Sequence, residues 1–182
     1  EVVAMREQQV ARRTRPLTGV SEFPNLAEKL PERPPYPGVD EVRRYGASYE
    51  ALRDEPATSP VFLATMGSVA GHTARATFAA NLFAAGGVAV VPAGPTQDAQ
   101  AVLAAYSSEG GGQPVVCLAG SDAAYADWGA DAVALLREAG ARRIILAGAP
   151  GERTVPADLV DDSCATGVDA LAFLTRTREA LA

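Results

Sequence analysis

The sequence predicts an α/β domain built on a parallel sheet, preceded by a helical and extended arm. Three observations carry this prediction. Short apolar runs without in/out alternation recur from Val61 onward, helical stretches stand between consecutive runs, and glycine or proline marks most of the junctions. Strands buried on both faces lose alternation. Strands that alternate with single helices require right-handed crossovers and therefore a parallel sheet.

The elements follow in order. Val61-Phe62-Leu63-Ala64-Thr65 is the first run. The segment 73–85 follows as a helix with Phe78, Leu82 and Phe83 on one face, stopped by Gly86-Gly87. Val88-Ala89-Val90-Val91 is the second run, closed by Pro92, and residues 96–107 form the next helix, ended by Glu109-Gly110-Gly111-Gly112. Val115-Val116-Cys117-Leu118-Ala119 is the third run, followed by a helix over about 129–139 that ends at Gly140. Arg143-Ile144-Ile145-Leu146-Ala147 is the fourth, and a weaker strand near 161–165 precedes a last helix at about 168–181. Five strands at this spacing suit a flavodoxin-like three-layer sandwich with strand order 2-1-3-4-5.

The first 56 residues differ in character. Pro31, Pro34, Pro35 and Pro37 fix φ and remove backbone donors, so 31–38 reads as an extended linker. Helices are expected over 1–13 and 39–53, with Gly46 the weak point of the second. Residues 1–56 therefore read as an arm and linker that wraps the domain formed by 57–182, a partner, or a neighbouring domain. The chain opens at Glu1 rather than Met, which suggests a fragment.

Composition narrows the function. Of 182 residues, 48% are hydrophobic, enough for a packed core and against wholesale disorder. The net charge is −6: nine basic and ten acidic side chains before residue 57, seven and twelve after it. An acidic chain is a poor ligand for nucleic acid or an anionic membrane. No run approaches the eighteen or so apolar residues of a spanning helix, and the charged start is unlike a secretory signal. Two cysteines, Cys117 and Cys164, form neither a disulfide framework nor metal-ligand spacing, which points to a reducing cytoplasm. His72 is the single histidine, so a multi-histidine metal site within the chain is excluded.

Ligands of such folds sit over the carboxyl ends of the strands, at the switch point between strands 1 and 3. The loops after Thr65, Ala119 and Ala147 are therefore the places to look. The first, Met66-Gly67-Ser68-Val69-Ala70-Gly71-His72, is small and leads into a helix whose free N–H groups suit an anion; small residues there also simply permit a tight turn. Neither G-x-G-x-x-G nor G-x-x-x-x-G-K-[ST] is present. His72 is a metal ligand or a structural histidine; no acid stands within five residues on either side to orient it. Ser121 and Asp122 offer a helix N-cap or, with His72, a nominal catalytic triad, although the G-x-S-x-G elbow is missing. A phosphoacceptor domain of the receiver type would need an Asp at the end of a central strand, where Thr65 and Ala119 stand. The third loop, Ala147-Gly148-Ala149-Pro150-Gly151, brings no chemistry of its own, but permits close backbone approach. Cys117 reads as a small buried apolar residue. Tyr125 and Trp128 read as interface anchors or as core.

The stretch from Met66-Gly67 to Gly71-His72-Thr73, with its helix down to Gly86-Gly87, resembles the cobalamin-binding domain of methylmalonyl-CoA mutase. Residues 15–27 (RPLTGVSEFPNLA) resemble the end of that family's catalytic barrel, which a linker joins to the cobalamin domain. Members that bind cobalamin carry D-x-H-x-x-G, its His being the lower cobalt ligand. Here Ala70 stands at the Asp position and Arg75 at the last Gly position, beside a retained His72. The loop also reads as one residue longer than usual between Met66 and His72. The second motif, G-x-S-x-L, falls on Cys117-Leu118-Ala119-Gly120-Ser121 without its Gly or Ser, and the Gly pair after the fourth strand is half kept as Ala147-Gly148. Arg75 would fill the slot that the cofactor's nucleotide tail needs. The pattern resembles the small subunit of the two-subunit bacterial enzyme, in which this domain is degenerate.

The resemblance implies a non-catalytic, partner-binding portion of that subunit. It implies a heterodimer with the large subunit in a complex that interconverts methylmalonyl-CoA and succinyl-CoA with adenosylcobalamin. It places no catalytic residue, metal or cofactor in this chain, and it leaves His72 as a vestigial cofactor-binding residue. Two alternatives stand beside it: a functional cobalamin-binding domain with His72 as cobalt ligand, and an unrelated flavodoxin-like enzyme or signalling domain using Ser121 and Asp122.

Overall fold

A run of six apolar residues with no polar face has to be covered on both sides. The computed structural model, described over residues 1–29, 44–109, 112–151 and 153–182, meets this demand with a five-stranded parallel sheet. The strands are β1 (Val61–Met66), β2 (Val90–Pro92), β3 (Val115–Gly120), β4 (Arg143–Ala147) and β5 (Asp162–Cys164). Their order is β2-β1-β3-β4-β5, the order expected from the sequence. Every residue of β1 and β3 is buried. They run side by side with Phe62 opposite Val116 and Met66 opposite Gly120. Pro92 closes the edge strand, where the missing N–H costs the ladder little.

Successive residues still point to opposite faces. Val61 and Leu63 join one core cluster with α3 (Val69–Ala85) and α6 (Ala170–Leu181). Phe62, Ala64 and Met66 join another, under α4 (Ala99–Glu109) and α5 (Asp122–Glu138). Leu82, Phe83, Phe173 and Leu174 are fully buried on the first face, and each such side chain contributes about 1.5–3 kcal/mol by leaving water.

Several boundaries differ from the sequence expectation; α4, for one, begins at Ala99 rather than 96. α3 begins at Val69 rather than 73, because the Ser68 hydroxyl accepts the Gly71 N–H and starts the helix early. Gly71 and His72 therefore lie in its first turn and not in a loop. α5 begins at Asp122 rather than 129, capped by the Ser121 hydroxyl on the Ala124 N–H. Its helical period is interrupted at Trp128 (φ −142°, ψ 15°), next to Gly129, where a Cβ would lie 2.7 Å from Val155. That kink hides the first turns from a periodicity search. The second strand is displaced by about a turn of pleat, to Val90–Pro92. The linker 31–38 and part of the helix expected over 39–53 lie outside the described residues, as do Gly110 and Gly111 of the loop expected there.

Among the described residues the arm lies on its own domain. α1 (Val2–Ala11) and α2 (Ala47–Asp54) pack against α6. Tyr49 is fully buried, and its hydroxyl donates to the carbonyls of Val10 and Ala11 at the end of α1. Asn81 of α3 accepts from the Phe23 N–H at 2.6 Å and donates to Glu22 at 2.9 Å, while Glu22 also pairs with Arg13 at 2.6 Å. Arg178 of α6 closes the other end by donating to the carbonyls of Gly86 and Glu55. Val10 and Tyr49 thus belong to the same core as β1 and α6. No helix among the described residues is long and apolar enough to cross a membrane.

Burial raises the Tyr49 pKa from 10.0 to about 12. The folded state resists this ionisation more than the unfolded chain does, so the associated stability is complete below pH 10 and drains away as pH climbs through 12. Equilibrium unfolding across that range should show a steeper loss for the natural chain than for Tyr49→Phe. At neutral pH the same variant should lose about 1 kcal/mol with the two hydrogen bonds and show faster amide exchange in α1.

Candidate functional site

β1 and β3 are neighbours in the sheet, but their helices depart to opposite faces. Their carboxyl ends therefore splay and leave a crevice, the usual ligand position of this topology. Its floor is tightly made. Gly120 ends β3 so close to β1 that a Cβ there would stand 2.7 Å from the Met66 Cβ. On the β2 side, the Thr65 hydroxyl donates to Gly94 O, the Thr96 hydroxyl donates to Thr65 O at 2.8 Å, and the Gly67 N–H donates to Thr96 O at 2.9 Å.

The rim carries Arg75, one turn into α3. Its guanidinium reaches across the crevice and donates to Gly120 O at 2.6 Å and to the Asp122 carboxylate at 2.5 Å. It also lies over the Tyr125 ring, 5.0 Å from the ring centre. Gly148, with φ 133°, stands beside it; a Cβ there would meet the Arg75 Nε at 3.4 Å and no atoms nearer than that guanidinium. One planar cation thus meets a carbonyl, a carboxylate, an aromatic ring and a glycine. The side chain keeps about a third of its surface in solvent and Asp122 about two thirds, so the ion pair alone adds little to stability. The stacking and the bond to Gly120 O fix its position.

Tyr125 holds the floor together. It is buried, its hydroxyl accepts the Gly120 N–H at 2.9 Å, and its proton faces the carbonyls of Leu118 at 3.0 Å and Ala147 at 2.9 Å. Burial pushes its pKa well up, so it stays protonated and serves as a donor. This settles its sequence reading as core rather than interface anchor. Trp128 packs half-buried against the same cluster.

His72 is buried in the first turn of α3, with Nδ1 3.3 Å from Gly67 O. Ser121 spends its hydroxyl on the helix cap, and Asp122 faces Arg75. No hydrogen bond among these joins His72, Ser121 and Asp122 into a relay, so the nominal triad is not assembled. Among the described residues no group of three His, Cys, Asp or Glu side chains stands ready to hold a metal. Cys117 and Cys164 are both buried and free. A hydrogen bond with the Cys164 thiol, then burial, raises the Cys117 pKa and keeps it an unreactive thiol. The cluster of Arg75, Asp122 and Tyr125 escapes sequence reading as a unit. Its one available signal is the three-residue spacing of Asp122 and Tyr125, which puts both on one helix face only once the helix is known to start at 122.

No family model matches the chain. Curated proteins do. A methylmalonyl-CoA mutase small subunit from Streptomyces virginiae is 43% identical over 187 residues, covering 96% of this chain and 29% of that protein. A probable methylmalonyl-CoA mutase small subunit from Mycobacterium tuberculosis is 41% identical over 156 residues, covering 81% of this chain and 25% of that protein. The small subunit from Propionibacterium freudenreichii subsp. shermanii is 28% identical over 193 residues, or 98% of this chain and 30% of that protein. The chain is therefore a homologue of methylmalonyl-CoA mutase small subunits over most of its own length, while spanning under a third of theirs.

Replacing Tyr125 by Phe removes the acceptor of a buried N–H on Gly120. The variant should lose about 1–3 kcal/mol in denaturant unfolding, with the loss of exchange protection concentrated at Gly120 and the start of α5.

Proposed function

We propose that this chain, a homologue of the methylmalonyl-CoA mutase small subunits, is a non-catalytic, partner-binding portion of such a subunit. In this reading residues 57–182 are a cobalamin-binding-like α/β domain retained as scaffold. Residues 1–56 are the arm and linker that join it to a preceding barrel. The partner is the large subunit, in a cytoplasmic heterodimer whose isomerase activity interconverts methylmalonyl-CoA and succinyl-CoA with adenosylcobalamin. No residue of this chain carries that step.

One observation carries the proposal: the Arg75 guanidinium lies in the switch-point crevice, bonded to Gly120 O and Asp122 and stacked on Tyr125. A corrinoid does not fit these residues. The slot its nucleotide tail would enter is filled from within, and Ala70 offers His72 no orienting carboxylate. The reading in which His72 ligates cobalt keeps one contact in its favour. A hydrogen bond from Nδ1 to Gly67 O leaves Nε2 as the ring atom for a metal. Burial in the first turn and the occupied crevice argue against it.

Titrating the purified chain with adenosylcobalamin should leave the cofactor's absorbance spectrum unchanged. A shift to a histidine-ligated, base-off spectrum that disappears in His72→Ala would overturn the proposal. Co-expression with the large subunit should yield a one-to-one complex in size-exclusion chromatography, and its failure to form would remove the partner-binding half of the reading.

A further inference from the structure

We propose that the switch-point crevice is closed by occupancy and not by collapse, with the Arg75 side chain serving as a built-in ligand for a slot that accepts a planar guanidinium. The inference rests on the reading that this domain takes no external corrinoid, and it adds the physical manner in which the site is shut.

A lost binding site can close in two ways. Its walls can move together and be filled by apolar side chains, or they can stay apart with something lodged between them. The walls here keep the shape of a slot. Gly120 and Gly148 bring no side chain to it, and the three nearest neighbours of a Cβ on Gly148 would be the Nε, Cζ and Nη2 atoms of Arg75, at 3.4–3.6 Å. Tyr125 is pinned by three backbone contacts independent of Arg75, so its ring stays in place whether or not the guanidinium lies on it. Asp122 is held by its position at the start of a capped helix. Removing Arg75 therefore leaves a planar space with an aromatic face, a carbonyl acceptor and a carboxylate acceptor. That set matches a guanidinium or amidinium and suits a compact ammonium poorly, since an ammonium lacks the flat fork and the stacking surface.

The test is chemical rescue. Arg75→Ala should fold, by circular dichroism, with a lowered melting temperature. Millimolar methylguanidinium should restore at least half of that loss along a saturable curve, as mass action requires of a ligand that binds the native state. Methylammonium or sodium at equal ionic strength should not, and Arg75→Lys should stay as destabilised as Arg75→Ala. A linear or absent response to methylguanidinium in folded Arg75→Ala, or equal rescue by methylammonium, overturns the proposal. A measurement on the natural chain guards against a variant that fails to fold. With nitrogen-15 arginine labelling, the two Nη groups of Arg75 should give separate, slowly exchanging signals, since each is bonded to a different acceptor. A single averaged signal overturns the proposal as well. Both results are independent of adenosylcobalamin, so uptake of that cofactor by the natural chain would sink the proposed function without deciding the rescue, and the converse also holds.

Discussion

The close approach of β1 and β3 is the constraint on which the rest of this structure depends. Both strands are buried along their whole length, and at their shared carboxyl end only a glycine fits, because Gly120 sits where a Cβ would strike Met66. Their helices must leave to opposite faces, so the loops diverge and a gap opens above the sheet. Water in that gap would reach the ends of three strands. The Tyr125 hydroxyl satisfies the backbone groups at the bottom of the gap, and the Arg75 guanidinium covers the top. The polar groups at the crevice are thus engaged in holding the fold.

Much of the fold is legible in the chain because both-face burial leaves a plain signature. The apolar runs at β1, β3 and β4 and the glycines after α3 and α5 place the sheet and its order. What escapes is set by local side-chain chemistry that periodicity does not register. Ser68 and Ser121 begin their helices early by taking up a free N–H, and the kink at Trp128 breaks the hydrophobic phase of α5. At the site, His72 draws attention as a lone histidine, yet it lies in a helical turn with a backbone contact. Arg75 is legible only as a departure from a motif. That it meets Asp122 and Tyr125, 47 and 50 residues away in sequence, is a fact of the sheet's crossover and has no local trace.

The arm shows the same division. Its prolines and even charge balance suggest something separate from the domain. Tyr49 contradicts that impression among the described residues: it is a core residue whose hydroxyl ends one arm helix and whose ring stands in the cluster that includes β1 and α6. Composition marks where a chain changes character; it does not mark where a core stops.

That shared core has a consequence for how such a polypeptide can change over generations. A recombination joint placed at residue 57 would cut through that core, taking Val10 and Tyr49 away from β1 and α6. Arm and sheet are thereby bound to be exchanged as a single block.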